Sequence, residues 1–477
     1  MNRVISLTEG RVWKVLLQFS VPFFLANLLQ ALYGAVDLMV VGKYCTADSV
    51  AAVSTGTQVT QIIISLITGL TLAGTIMVGK YKGMNREQEV EKTISSTLLF
   101  FAFFSVCLTI VMFLCVDGIL GLLQVPEASC EEASRYVFIC CFGIFFTCEY
   151  NALSAVLRGY GDSVTPLLCV AAACVCNIVG DFLTVGVLEM GAAGTAVATV
   201  VSQGVSMAAA LFWVSRKQSV IRIGVSGLRM DRKILKEMIL LGIPVSFQEC
   251  MVRFSFLYLT AIINGFGVYA ASAVGIAGKY DTFAMLPAVS VGSALAALTA
   301  QNLGAGRKDR AKAFTRTGIL WALLCSGLFF CWAQISPQSM MGIFTTDRQV
   351  INVGIPFFRA CSFDYLAVSV MFGMNGYLNG SEKTVFTMLN CCGGALLIRV
   401  PFLAVLSGCK AESLMAYGIV SPISSLIMIG VIFLYLTAER KKSAGILPCN
   451  TGKPELSGRF PAGTVRNLVG KPASGER

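Results

Sequence analysis

Asn177 and Asp181 stand four residues apart inside an apolar run, so on a helix they place one carboxamide and one carboxyl group on a single face. Asp37 and Glu149 lie within or near other apolar runs of the same half of the chain, with no lysine or arginine deep enough to neutralise them. A charge in such a run costs ~2.5 to 3.5 kcal/mol at a helix centre and tends to be kept for a task. Acids left there without a base must face a polar cavity, where they bind a cation or carry protons. Oxygens from Asp37, Asn177 and Asp181 would make a small cage suited to Na⁺, whereas a carboxylate desolvated between helices takes up H⁺ more readily, and both readings stay open. Asn151 and Thr199 offer further oxygens, either to this cage or to ordinary hydrogen bonds between helices. The chain has no histidine, so carboxylates must do whatever proton work occurs.

The second half differs. Glu249, Asp281 and Asp364 share their apolar runs with Arg253, Lys279, Arg359 and Arg399, so acids there can pair with fixed bases.

These residues need long apolar helices to hold them. Hydrophobic residues make up 56% of the 477 positions and charged residues 13%, against roughly 45 to 50% and 25% in soluble domains. Runs near 15–41, 50–78, 93–116, 134–157, 165–187, 192–214, 238–263, 270–300, 314–335, 355–379, 385–407 and 413–437 are each long enough to cross a bilayer. They are continuous rather than alternating, which favours helices over a barrel as the way to satisfy the backbone in lipid. The fold class expected is therefore an all-α integral membrane protein with twelve transmembrane helices in two pseudo-symmetric six-helix bundles.

The two-fold organisation is visible in the residues. Arg158-Gly159-Tyr160-Gly161-Asp162 is answered by Asn379-Gly380-Ser381-Glu382-Lys383, and Gly83 and Arg86 by Gly304 and Arg307, at an offset of 221. Pro22 is answered by Pro244 at 222. Duplicated membrane units of this kind build carriers with the substrate path between the halves. Pro22 removes a backbone hydrogen bond inside the first helix and bends it, and that bend can couple ion binding at Asp37 to the shape of the cavity.

The boundaries expected are residues 1–214 for the first lobe, 215–237 for a basic amphipathic linker, 238–440 for the second lobe and 441–477 for a disordered tail. Residues 1–14 are polar and the run that follows is too long for a signal core, so the first helix is expected to be retained. Of the 37 basic residues, 29 fall on the side of the N-terminus, against Lys43, Arg135, Arg348 and Lys410 on the other. That asymmetry places both termini in the cytoplasm and explains the net charge of +11 without a nucleic-acid partner. Most of the 18 cysteines lie in apolar runs, where they pack as small apolar residues. Neither a cofactor nor a metal is expected beyond Na⁺ at Asp37, Asn177 and Asp181.

From about residue 7 to 440 the chain resembles the multidrug and toxic compound extrusion (MATE) transporters. The likeness is carried by the opening "LTEGRVWKVLLQFSVPFFLANLLQALYGAVDLMVVGKY" and, in order, by "LRGYGDSVTP", "GAAGTAVATVVSQ", "LGIPVSFQE" and "AQNLGAGR". The resemblance implies two six-helix lobes forming a V and an antiporter that exports amphipathic organic cations by letting H⁺ or Na⁺ run inward. It implies cation-site roles for Asp37, Asn177 and Asp181, with Thr199 and Asn151 nearby. Glu249 and Asp364 match a possible second-lobe site, although Asp364 sits roughly one turn from its expected place and Lys279 could neutralise one of these acids. Aromatic residues Phe23, Phe24, Tyr33, Phe145, Phe146 and Tyr150 would suit a cationic cargo. The implied setting is a monomer in lipid, in the cytoplasmic membrane of a bacterium. A flippase for lipid-linked precursors is the alternative within the superfamily, but its phosphates call for a basic cavity. A membrane receptor or enzyme has no nucleophile motif or P-loop to stand on.

Overall fold

In the computed structural model, residues 5–122, 127–216, 229–409 and 413–443 are described. Most of the linker, the tail beyond Ser443 and Lys410 therefore lie outside the described residues. The compact body extends to Val431.

Among the described residues twelve helices are long and apolar enough to cross a membrane. The first six spans are Val12–Tyr44, Asp48–Gly83, Glu87–Gly121, Ser129–Tyr160, Val164–Val187 and Gly191–Arg216. The second six are Arg232–Asn264, Val268–Gly304, Lys308–Ile335, Arg348–Gly380, Thr384–Gly408 and Leu414–Lys441. Several exceed the expected runs by a turn at each end, because the polar residues that flank a span still continue its helix. Leu114, Leu328 and Leu397 are among many large apolar side chains left outward, an arrangement that lipid accommodates and water does not. The protein is a multi-pass membrane protein.

Three spans depart from a plain α-helix. The tenth is broken at Ser362, between Arg348–Cys361 and Phe363–Gly380. That break places Asp364 in the first turn of the helix that continues to Gly380. The fifth and eleventh spans each carry a π-helical stretch, Phe182–Val187 and Gly393–Arg399, a feature that often marks functional sites.

The duplication reaches the backbone. Arg86 N donates to Tyr81 O at 3.0 Å and Asn85 N to Lys82 O at 3.1 Å, closing the second span; Arg307 N to Asn302 O at 2.8 Å and Gly306 N to Leu303 O at 3.0 Å close the eighth in the same way. The left-handed residues repeat too, with φ of 56° at Asn85 and 75° at Gly306, and 104° at Gly161 and 63° at Glu382.

The halves meet where these two ends cross. A Cβ on Gly83 would come within 2.1 Å of Gln301 O, and one on Gly304 within 2.3 Å of Lys80 O, so only glycine permits the approach. Lys80 pairs with Glu382 beside it. The segment before the first span ties both halves at the same end: Ile5 N donates to Gly161 O at 3.1 Å, while Asn302 Nδ2 donates to Leu7 O at 3.1 Å and Arg307 Nη1 to Thr8 O at 2.6 Å. Apolar packing of Leu16, Phe19 and Phe23 against Leu295, Leu298 and Phe314 backs this closure.

Gly83→Val should therefore force the crossing apart and destabilise the purified protein by ~1–3 kcal/mol. Its unfolding midpoint in detergent is expected to fall, and an unchanged midpoint would show that the crossing is not tight.

Candidate functional site

Packing of the first span against the fifth and sixth places the acids singled out from the sequence. Small residues make the approach possible: a Cβ on Gly180 would lie 3.0 Å from Ala198 Cβ, and one on Gly194 would meet Thr184 at 3.1 Å. Thr184 Oγ1 donates to the carbonyls of Gly180 and Gly194, each at 2.9 Å, which pins the π-helical stretch directly after Asp181 to the sixth span.

At this point Asp37 faces both Asn177 and Asp181. All three are buried, with exposures of 7%, 1% and 0%. Asp37 Oδ1, both carboxyl oxygens of Asp181 and both amide atoms of Asn177 have no hydrogen-bond partner. Among the described residues no basic group lies within 4 Å of Asp37, Asp181 or Glu149. Two neighbouring carboxyl groups in a low-dielectric setting repel when both are ionised, and a proton or a small hard cation between them removes the conflict. Carboxylate and amide oxygens are the donors such a cation takes.

Asp37 also opens onto a cavity of about 90 Å³, lined in part by Gln30, Tyr33, Gln61, Thr199 and Gln203. Thr199 Oγ1 is likewise without a partner. The lining comes from the parts of the first, second, fourth and sixth spans remote from the Gly83–Gly304 crossing.

Other candidates are placed elsewhere. Asn151 donates its amide to Thr147 O of its own helix at 2.8 Å and does not line the cavity. Glu149 is half-buried, with Oε1 unpartnered, and also stands off the cavity lining. Of the aromatic residues favoured from the sequence, Tyr33 lines it; Phe23 instead lies under the Arg158 guanidinium, 4.3 Å from the ring centre, and Tyr150 donates to Pro166 O at 3.1 Å. Pro22 sits inside the uninterrupted first helix, where its ring leaves the carbonyl of Gln18 without a helical donor.

In the second half Glu249 faces Arg253 of its own span, and Asp364 faces Arg399 and Ser425. Lys279 is exposed, with its ammonium 5.3 Å above the Phe344 ring, and among the described residues it forms no ion pair with either acid.

The sequence reading includes Tyr33, Asp37 and Thr199 of this lining but not its glutamines or Thr57 and Thr60. A signal was present: Gln30, Tyr33 and Asp37 follow helical spacing, as do Thr57, Thr60 and Gln61, and Thr199 with Gln203. Uncharged polar residues drew less attention than acids, although their convergence marks a wet pocket equally well.

Comparison with known proteins follows the same architecture. The MatE family model matches residues 22–183 and again 244–405. The chain is 27% identical to the probable multidrug resistance protein YpnP of Bacillus subtilis (strain 168) over 439 residues, covering 92% of this chain and 98% of that protein. It is 22% identical to the multidrug export protein MepA of Staphylococcus aureus (strain NCTC 8325 / PS 47) over 410 residues, covering 83% and 88%. Among solved structures, it shares a TM-score of 0.86 at 19% identity with the outward-facing conformation of a multidrug resistance MATE family transporter of the MOP superfamily, covering 93% of this chain and 98% of that one.

Neutralising one member of the acidic pair should relieve its repulsion. Asp181→Asn is expected to stabilise the purified protein by ~0.5–2 kcal/mol near neutral pH, in the manner of sites that trade stability for function. A lower unfolding midpoint for this variant would mean that Asp181 is a structural partner and not a charged ligand.

Proposed function

The chain belongs to the MatE family, and from that premise we propose that it is a multidrug efflux transporter that exports amphipathic organic cations in exchange for H⁺ or Na⁺. The observation that carries the coupling is the buried pair Asp37 and Asp181, which has no fixed base within reach and whose first member opens onto the cavity. A mobile cation must balance that charge, and its arrival or departure changes the field felt by anything in the cavity. Asn177 supplies an amide oxygen to the ion, and Thr199 a hydroxyl from the cavity wall.

The lining supports a cationic cargo. It carries one carboxyl group, the tyrosines Tyr33 and Tyr136, and amide and hydroxyl groups able to accept hydrogen bonds, and it has no lysine or arginine. That sign disfavours the lipid-phosphate alternative.

The excess of basic residues supports a cytoplasmic side for the N-terminal segment and, with it, the Gly83–Gly304 crossing. The N-terminal segment, Lys80–Glu382 and the crossing then close the path toward the cytoplasm, and export requires them to part in the alternate state. Pro22 lies between this closure and Asp37 on the first helix, where a change of bend links the two.

Cells making the protein should lose a cationic dye faster than control cells, and dissipating the proton or the sodium gradient should abolish the difference. Asp37→Asn and Asp181→Asn should each reduce gradient-driven efflux by at least ~100-fold, with membrane insertion intact because removing a charge eases it. Efflux by either variant that still responds to pH or sodium as the wild type does would refute the assignment.

A further inference from the structure

The repeat allows the two halves to be compared residue by residue. The matched segments 22–183 and 244–405 begin and end at an offset of 222, at which Asp37 is answered by Leu259, Asp181 by Leu403, Asn177 by Arg399 and Tyr33 by Ser255. The correspondence holds in space. Leu259 and Leu403 belong to one buried apolar cluster, just as Asp37 and Asp181 face one another. Where the first half keeps two carboxyl groups, the second half keeps two leucines.

Arg399 takes the remaining position. It is 4% exposed, at the end of the π-helical stretch of the eleventh span. Its Nη1 donates to Ser255 Oγ at 2.9 Å, and its guanidinium lies 4.3 Å from the centre of the Phe256 ring, so both ends of the seventh-span contact hold it inward. Asp364, 2% exposed, faces it from the tenth span. Asp364 Oδ1 and Arg399 Nε have no hydrogen-bond partner and the two groups stand more than 4 Å apart, so the attraction acts across a gap. Of the other groups around them, Asp281 accepts the Tyr365 hydroxyl at 2.7 Å, approaches Asp364 and forms no ion pair among the described residues, while Glu249 faces Arg253, Ser425 approaches Asp364 and Cys391 approaches Arg399.

We propose that Arg399 is a tethered counter-cation, which gives Asp364 permanently the positive charge that the first half takes from a mobile ion. Asp364 is then a positioning partner of Arg399 and takes no coupling ion itself. This inference rests on the coupled-export reading. It explains why a carboxyl group can stay buried in the second half through the cycle: a charge that never leaves needs no entry path.

Dye efflux from cells, measured across a sodium series and a pH series, separates the possibilities. Asp364→Asn or Arg399→Gln alone leaves one buried charge unbalanced and should lower efflux by at least ~tenfold. The Asp364→Asn/Arg399→Gln double variant removes both charges and should recover to within ~threefold of wild type, as coupled partners do in a double-mutant cycle. Arg399→Lys, which keeps the charge, should retain efflux. In Arg399→Gln the bare Asp364 must recruit a cation of its own, so residual efflux should depend more steeply on sodium or proton concentration than in the wild type, a change that a merely structural role would not produce. A double variant no better than Asp364→Asn, or an Arg399→Gln variant with wild-type ion dependence, overturns the proposal. Wild-type efflux indifferent to both gradients would instead defeat the coupled-export reading itself, and is read in the same experiment.

Discussion

Charge balance in a medium that cannot solvate charge is the constraint on which this structure depends. Asp37 and Asp181 are buried together between the first and fifth spans, with no base within 4 Å among the described residues. Such a pair is unfavourable unless something positive joins it. The surrounding residues keep the pair from escaping that condition: Gly180 and Gly194 let the sixth span press close, Thr184 pins the π-helical stretch, and Asn177 contributes an amide in place of a charge. A fixed lysine or arginine would satisfy the electrostatics and remove the reason for an ion to come and go.

Duplication supplied the frame, and divergence gave its halves different interiors. Helix caps, left-handed residues and the crossing glycines recur at the repeat offset because the backbone geometry at those ends tolerates little else. Side chains in the bundle interiors obey no such restriction. The first half holds acids and a polar cavity, whereas at the corresponding places the second half holds leucines and an arginine. Similar scaffolds thus carry one bundle with unpartnered acids and one in which Asp364 faces a fixed arginine.

Much of this was readable before any coordinates. Twelve spans follow from run length and composition, since lipid leaves the backbone few options. Asp37, Asn177 and Asp181 stood out because a charge within an apolar run has few bland explanations, and the four-residue spacing put two of them on one face. What could not be read depends on contacts between spans. The break at Ser362, two residues before Asp364, has no proline at that position to announce it. Asn151 looked like a ligand by proximity in sequence, yet its amide turns to Thr147 O of its own helix. Lys279 looked like a counter-ion, but its side chain is exposed over Phe344. Gln30, Gln61 and Gln203 each resemble an isolated polar residue until three helices bring them to one cavity.

The most direct measurement of the central claim is the infrared carboxyl-stretch signal of the purified transporter, recorded as a difference on acidification and again on adding sodium. A protonated-carboxyl band is expected to grow with acidification, to be bleached in part where sodium competes, and to lose that sodium-sensitive part when Asp37 and Asp181 are both replaced by asparagine. A band of equal size in the wild type and the doubly substituted protein would contradict the account, because the exchangeable charge would then reside elsewhere.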